Sequence, residues 1–220
     1  MGLVESNPVI GTIRPEAGKA RTRVLTDDEL AKVWRACQDD DHGRITRLLI
    51  LTGCRRQEVG GMAWSELELD RGIWTIPAAR SKNHHAHTLP LPAQALAIIE
   101  SVPRMAERDY LFGVRAEGFL RWADGKAALD RRASIADWVL HDIRRTVATR
   151  LADLGVAPHV IEAILNHQSG HKSGIAGTYN RSTYANETRA ALALWADHVT
   201  ALASGRPRKI TAMRRAVRAA

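Results

Sequence analysis

Between Trp138 and Tyr184 the chain carries a His-x-x-Arg pair (His141 and Arg144), a second histidine (His167) and two tyrosines (Tyr179 and Tyr184). Upstream stand Arg55, three residues before Glu58, and Lys82 within a basic stretch. The natural target of such a set is an anion, and the chemistry it suits is phosphodiester cleavage. A phosphodiester resists attack because its charge repels nucleophiles and its alkoxide leaves poorly. Catalysis therefore needs cations on the non-bridging oxygens, a nucleophile, a base and an acid. Arginine meets the first need with a planar fork that stays charged, which nominates Arg55 and Arg144. A tyrosine can attack, but its ordinary pKa of about 10 calls for a neighbouring base. His141, one helical turn from Arg144, can serve. Lys82 can protonate the leaving oxygen, and His167 can donate to the phosphate. Singly, each has an ordinary structural role. Arg55 and Glu58, for example, also fit a surface i,i+3 ion pair worth roughly a few tenths of a kcal/mol.

The elements that must position these groups are legible as patterns. Ile143, Val147, Leu151 and Leu154 are spaced for the buried stripe of a helix from His141 to Gly155, a residue suited to follow a helix end. A second helix opens at Pro158, carries Val160, Ile161, Ile164 and Leu165, and leads into Asn166-His167. Thr26-x-x-Glu29 has the form of a capping box, starting a helix with Leu30, Val33 and Trp34 on its buried side. Asp39-Asp40-Asp41 reads as a solvated loop, and Arg44 to Leu51 as a buried helix broken at Thr52-Gly53. Arg55 and Glu58 then suit a new helical turn. From 73 to 77 and from 88 to 91 the period becomes that of strands, predicting a hairpin with Lys82 near its tip. His84, His85 and His87 lie on that connection without a Cys or carboxylate, so phosphate contact is the better reading than metal binding. Helices are also expected over Gln94–Val102, Phe119–Arg131 and Asn186–Ala203, the last with Leu192, Trp195, Val199 and Leu202 inward. The expected class is α+β, mainly α-helical with a small antiparallel β-hairpin or sheet.

Composition narrows the partner. At 220 residues the chain can build a sizeable core, and its hydrophobic content of 45% is ordinary for a globular fold. No apolar run is long enough to cross a membrane and no signal-peptide core precedes the first charges, so a cytoplasmic location is expected. The net charge of +8 favours a polyanion, with nucleic acid ahead of a membrane surface. Cys37 and Cys54 lack metal-ligand spacing and read as reduced, buried thiols. Residues 1–23, with Pro8, Pro15 and several basic residues, read as a linker, and residues 24–204 as the folded unit. The stretch 205–220 is a basic tail with six basic residues and no acid after Gly205.

The motifs Thr52-Gly53-Cys54-Arg55-Arg56-Gln57-Glu58, Lys82 before Thr88-Leu89-Pro90-Leu91, His141-Asp142-Ile143-Arg144-Arg145-Thr146, Leu165-Asn166-His167 and Thr178-Tyr179-Asn180-Arg181 occur in this order. In that order the sequence resembles the tyrosine recombinase (phage integrase) family from about Leu25 to Trp195, in the style of prophage and genomic-island integrases. The resemblance implies the catalytic-domain fold of that family. It places the active-site set on Arg55, Lys82, His141, Arg144, His167 and the nucleophile Tyr179, with Tyr184 as the rival, and Glu58 bracing from behind. Arg56, Arg80, His84, Arg145 and Arg181 are expected to contact DNA. The implied reaction is site-specific strand cleavage and rejoining through a 3′-phosphotyrosyl link, for integration or excision of a mobile element, with neither ATP, metal nor other cofactor. The implied partners are double-stranded attachment-site DNA and, on DNA, three further copies in the intact enzyme. The chain in isolation is expected to be monomeric, to bind DNA weakly and salt-dependently, and to belong with the nucleoid. A topoisomerase-like relaxing enzyme and a non-catalytic DNA-binding remnant are the alternatives. Asn166 stands where the family commonly has Gly, Gly170 to Gly174 lengthen the approach to Tyr179, and residues 1–23 are expected to connect to an absent amino-terminal core-binding module.

Overall fold

The computed structural model describes residues 21–114, 117–167 and 184–205. Tyr179, Arg181, the Gly170–Gly174 insertion and nearly all of the basic tail lie outside them. Helix α1 (Asp27–Ala36) starts as the capping box predicts. The Thr26 hydroxyl accepts from the Glu29 N–H at 3.2 Å and the Glu29 carboxylate from the Thr26 N–H at 2.9 Å. Helix α2 (Asp41–Thr52) begins three residues earlier than its apolar run suggests. Asp40 is its cap, accepting from the Gly43 N–H at 2.7 Å, so the acidic triplet is a helix start and not only a loop. A side chain at Gly43 would collide with the backbone of Gln38, which lets the turn close this tightly.

Helix α2 ends at Gly53, which takes φ +66°, a left-handed conformation that costs glycine little. Helix α3 (Arg56–Gly60) follows at once. Strands β1 (Leu67–Glu68), β2 (Ile73–Ile76) and β3 (His87–Pro90) form an antiparallel sheet in that order. The two-residue β1 is too short to show a period and was not expected from sequence. Register pairs Trp74 with Leu89 and Ile76 with His87, putting those four side chains inward, while Thr75 and Thr88 pair on the outer face. Helices α4 (Ala93–Glu100), α5 (Trp122–Ala133), α6 (Leu140–Asp153), α7 (Pro158–Leu165) and α8 (Ala185–Ala203) complete the described chain.

The core joins α2, α6, α7 and α8 to the inner face of the sheet. Leu48, Ile50, Leu51, Ile143, Val147, Leu151, Ile164 and Leu192 are all fully buried or nearly so. Trp195 of α8 is fully buried, and its indole N–H donates to the Ile50 carbonyl at 2.6 Å, fastening the last described helix to the final turn of α2. Cys37 and Cys54 are free and buried, which pushes both thiols up to about 12. The end of the stretch read as a linker is held to the body. Arg21 Nε donates to Asp142 at 2.9 Å, and the Leu25 N–H donates to the Thr146 hydroxyl at 2.9 Å. No described helix is long and apolar enough to cross a membrane.

Candidate active site

Two helix ends meet at Arg144. It lies in the first half of α6, on the inward face, and is only 5% exposed. Nη1 donates to the Gly53 carbonyl at the end of α2 at 2.7 Å, and Nη2 donates to the Leu165 carbonyl at the end of α7. A helix terminus leaves carbonyls without intrahelical partners, and here a guanidinium satisfies two of them from different helices. The fork is thereby fixed in plane and direction. Burial, and next the nearby Arg55, lower its pKa to about 10, which leaves it cationic at neutral pH.

Arg55 is brought beside it because α3 starts immediately after the Gly53 turn. The buried Glu58 accepts from the Arg55 backbone N–H at 2.8 Å and from Nη1 at 2.8 Å. At 3% exposure Glu58 is not half of a loose surface pair. It orients Arg55 and supplies a negative charge between two cations that would otherwise repel.

His141 sits one turn before Arg144 with its ring toward solvent. Its pKa is lowered, first by burial of its inner edge and then by Arg145 and Arg144. His167 follows the end of α7, where Asn166 takes φ +49°. Its pKa is lowered by partial burial, then by Arg144 and Arg55. Partial burial, and next the neighbouring arginines, thus favour the neutral form of both imidazoles, in which one nitrogen can accept a proton and the other donate. Arg55, Lys82, His141 and Arg144 line one cleft of about 790 Å³, together with Arg56, Glu58, Arg80, Trp122 and Lys126. His167 lies along the neighbouring groove, within electrostatic reach of both arginines.

The residues expected on DNA divide. Arg56 is exposed in the cleft, its guanidinium 5.7 Å from the Trp122 ring centroid. His84 is exposed at the hairpin with φ +56°. Arg80 is half-buried, and its fork is engaged: Nε and Nη2 donate to Glu66 at 2.8 and 2.6 Å, and Nη1 to the Glu58 carbonyl at 3.3 Å. That arrangement braces the sheet against α3. Arg145 donates to the fully buried Asp142 at 2.5 Å. Tyr184 precedes α8 in a left-handed conformation, with its ring 4.6 Å from that of His159, and it is not among the residues lining the cleft.

Sequence reasoning put His87 with the histidines expected to contact phosphate, which its burial in β3 rules out, and passed over the side-chain hydrogen bonds among Ser81, Asn83 and Asn166. His87 is buried, and its Nε2 lies 3.1 Å from the Ile164 carbonyl, so that nitrogen carries the proton. Its inward alternation with Leu89 was the available signal. An asparagine at a helix end, where left-handed φ is needed, was the signal for Asn166.

The chain is similar in sequence and fold to several known proteins. Prophage integrase IntA of Escherichia coli K12 is 32% identical over 213 residues, 93% of this chain and 51% of that protein. Prophage integrase IntZ of the same organism is 29% identical over 168 residues, 72% of this chain and 40% of that protein. The chain thus spans about half the length of the curated relatives it matches. Among solved structures, the integrase from mycobacterium phage Brujita superposes with a TM-score of 0.64 at 21% identity, over 87% of this chain and 64% of that one. A lambda integrase dimer bound to a core site gives 0.53 at 19%, over 76% of this chain and 64% of that one. These likenesses show a shared fold. Residues 23–186 match the model of the phage integrase family, and the chain belongs to that family as a tyrosine recombinase catalytic domain.

Proposed function

We propose that the chain cleaves and rejoins DNA at specific sites through a 3′-phosphotyrosyl intermediate, in the integration or excision of a mobile element. The observation that carries this reading is the Arg144 fork, held by two helix-end carbonyls in a cleft that also presents Arg55, His141 and Lys82. In this mechanism the hydroxyl oxygen of Tyr179 attacks phosphorus while His141, kept neutral by its surroundings, takes the proton. Arg55 and Arg144 hold the non-bridging oxygens, and a neutral His167 donates to one of them. Lys82 gives a proton to the 5′ oxygen as its bond to phosphorus breaks. A 5′ hydroxyl of a partner strand then attacks phosphorus and gives its proton to Lys82, while the bond to the Tyr179 oxygen breaks and that oxygen takes back the proton held by His141. The position of Tyr184 against His159 and away from the cleft supports Tyr179 as the nucleophile.

The partner is double-stranded DNA, in keeping with the net charge and with relatives whose solved structures hold DNA. Action in the cytoplasm, on the nucleoid, is part of the same reading. We expect DNA-free protein to sediment as a monomer, with four copies assembling only on DNA in the intact enzyme; a stable tetramer without DNA contradicts this.

The reaction is tested by covalent trapping on nicked duplexes taken from DNA flanking the element, resolved on a denaturing gel. Wild type and Tyr184→Phe should give a shifted protein–DNA band that Tyr179→Phe lacks. A band lost only with Tyr184→Phe moves the nucleophile. A band that persists in the Tyr179→Phe/Tyr184→Phe double variant excludes both tyrosines as the nucleophile.

A further inference from the structure

The connection between β2 and β3 is fastened to the end of α7 by a reciprocal amide pair. Asn83 Nδ2 donates to Asn166 Oδ1 at 2.8 Å, and Asn166 Nδ2 donates back to Asn83 Oδ1 at 3.2 Å. The buried Ser81 closes the group, accepting from Asn166 Nδ2 at 3.0 Å and donating to Asn83 Oδ1 at 2.6 Å. A second tie follows at His87, whose Nε2 meets the carbonyl of Ile164, two residues before Asn166 on α7.

Lys82 lies between Ser81 and Asn83, and His167 directly follows Asn166. The network thus flanks the lysine on both sides and ends one residue from the histidine. Lys82 itself remains exposed and lines the cleft. An exposed lysine on a ten-residue connection has many rotamers and a movable backbone, so its delivery to one oxygen is entropically costly unless the backbone is held. Asn166 can do this because asparagine tolerates the φ of +49° that ends α7 and still supplies an amide, which glycine cannot.

We propose that Ser81, Asn83 and Asn166 are positioning residues that set Lys82 against the leaving 5′ oxygen, coupling proton delivery to the histidine end of α7. The inference rests on the reading of Lys82 as the proton donor. As the P–O5′ bond breaks, the electron pair stays on the 5′ oxygen and takes a proton from Lys82 Nζ. A clamp defect should slow this step and no other.

The test uses the duplex that traps the wild-type chain and the same duplex with sulfur in place of the bridging 5′ oxygen. A thiolate leaves without a proton, so a fault confined to proton delivery disappears on sulfur. Asn166→Gly keeps the left-handed turn and removes only the amide; Asn83→Ala removes its partner. Each should slow attachment to the oxygen substrate about 10- to 100-fold, as loss of positioning does. The double variant should be no slower than either single, because both break one pair. All three should return to within about threefold of wild type on sulfur, as expected of a proton-delivery defect. Normal rates on oxygen, or equal losses on both substrates, overturn the proposal. Lys82→Ala checks the premise independently: wild-type rates on oxygen would remove Lys82 as the donor. Amide hydrogen exchange over residues 82–86 of the DNA-free protein reads the clamp without any chemistry. Unchanged exchange in Asn166→Gly would show that no clamp exists even if Lys82 is the acid.

Discussion

Replacing Arg144 with alanine should lower covalent attachment to DNA by at least about 100-fold, the loss typical of removing one donor to a developing charge. It should also cost stability, because the Gly53 and Leu165 carbonyls lose their donor inside the protein. An abandoned buried acceptor costs about 1–3 kcal/mol, so the variant should still fold at room temperature with a visibly lower urea midpoint. Arg144→Lys separates the two roles. A lysine supplies charge as a point and cannot hold both carbonyls while presenting a fork to phosphate. It should recover part of the stability and little of the cleavage. Urea unfolding and the trapping gel read the two effects on the same samples; Arg144→Ala cleaving within tenfold of wild type would sink the assignment. The lowering of this guanidinium to about 10 has no bearing on that outcome, since it still leaves the group protonated at neutral pH.

Acid should weaken the domain through His87. Burial, against the weaker attraction of Glu58, holds its folded pKa down to about 4 from the ordinary 6.5. A histidine depressed by folding contributes nothing to pH dependence above its unfolded pKa and loses stability below it, because the unfolded chain binds the proton more readily. The loss runs from pH 6.5 down to about 4 and reaches about 3 kcal/mol at the lower end. His87→Gln keeps a donor for the Ile164 carbonyl without a titrating ring. Its urea midpoint should fall less than that of wild type between pH 7 and pH 4.5. His42, also buried with a lowered pKa, pushes in the same direction in both proteins, so the difference between them isolates His87. Parallel curves would place the acid sensitivity elsewhere.

Much of the architecture was legible because it is set by neighbours in sequence. The Thr26 cap, the Gly53 stop, Pro158 at the head of α7 and the apolar stripe of α6 each express a constraint within a few residues, and each sits where expected. The hairpin was equally plain, since alternation needs only its two strands. The start of α2 was missed because one side-chain cap outweighed the apolar pattern, and β1 because two residues carry no period.

The sequence by itself determined which chemistry was on hand: two arginines, a lysine, two histidines and a tyrosine, in an order that marks the family. It also determined the local spacing that stacks His141 over Arg144 and starts α3 directly after Arg55. Only the tertiary structure decided which cations remain free to meet a phosphate. Arg80 is engaged by Glu66, 14 residues away, and Arg144 takes the carbonyls of Gly53 and Leu165, 91 and 21 residues away. Asn83 finds Asn166 across 83 residues. Helical and strand periods report burial along one element and are silent on which distant carbonyl or carboxylate will face a given side chain. An arginine's role depends on that partner. The packing of α2, α6 and α7 brings their ends together, and that convergence gathers Arg55, Lys82, His141 and Arg144 into one candidate cleft.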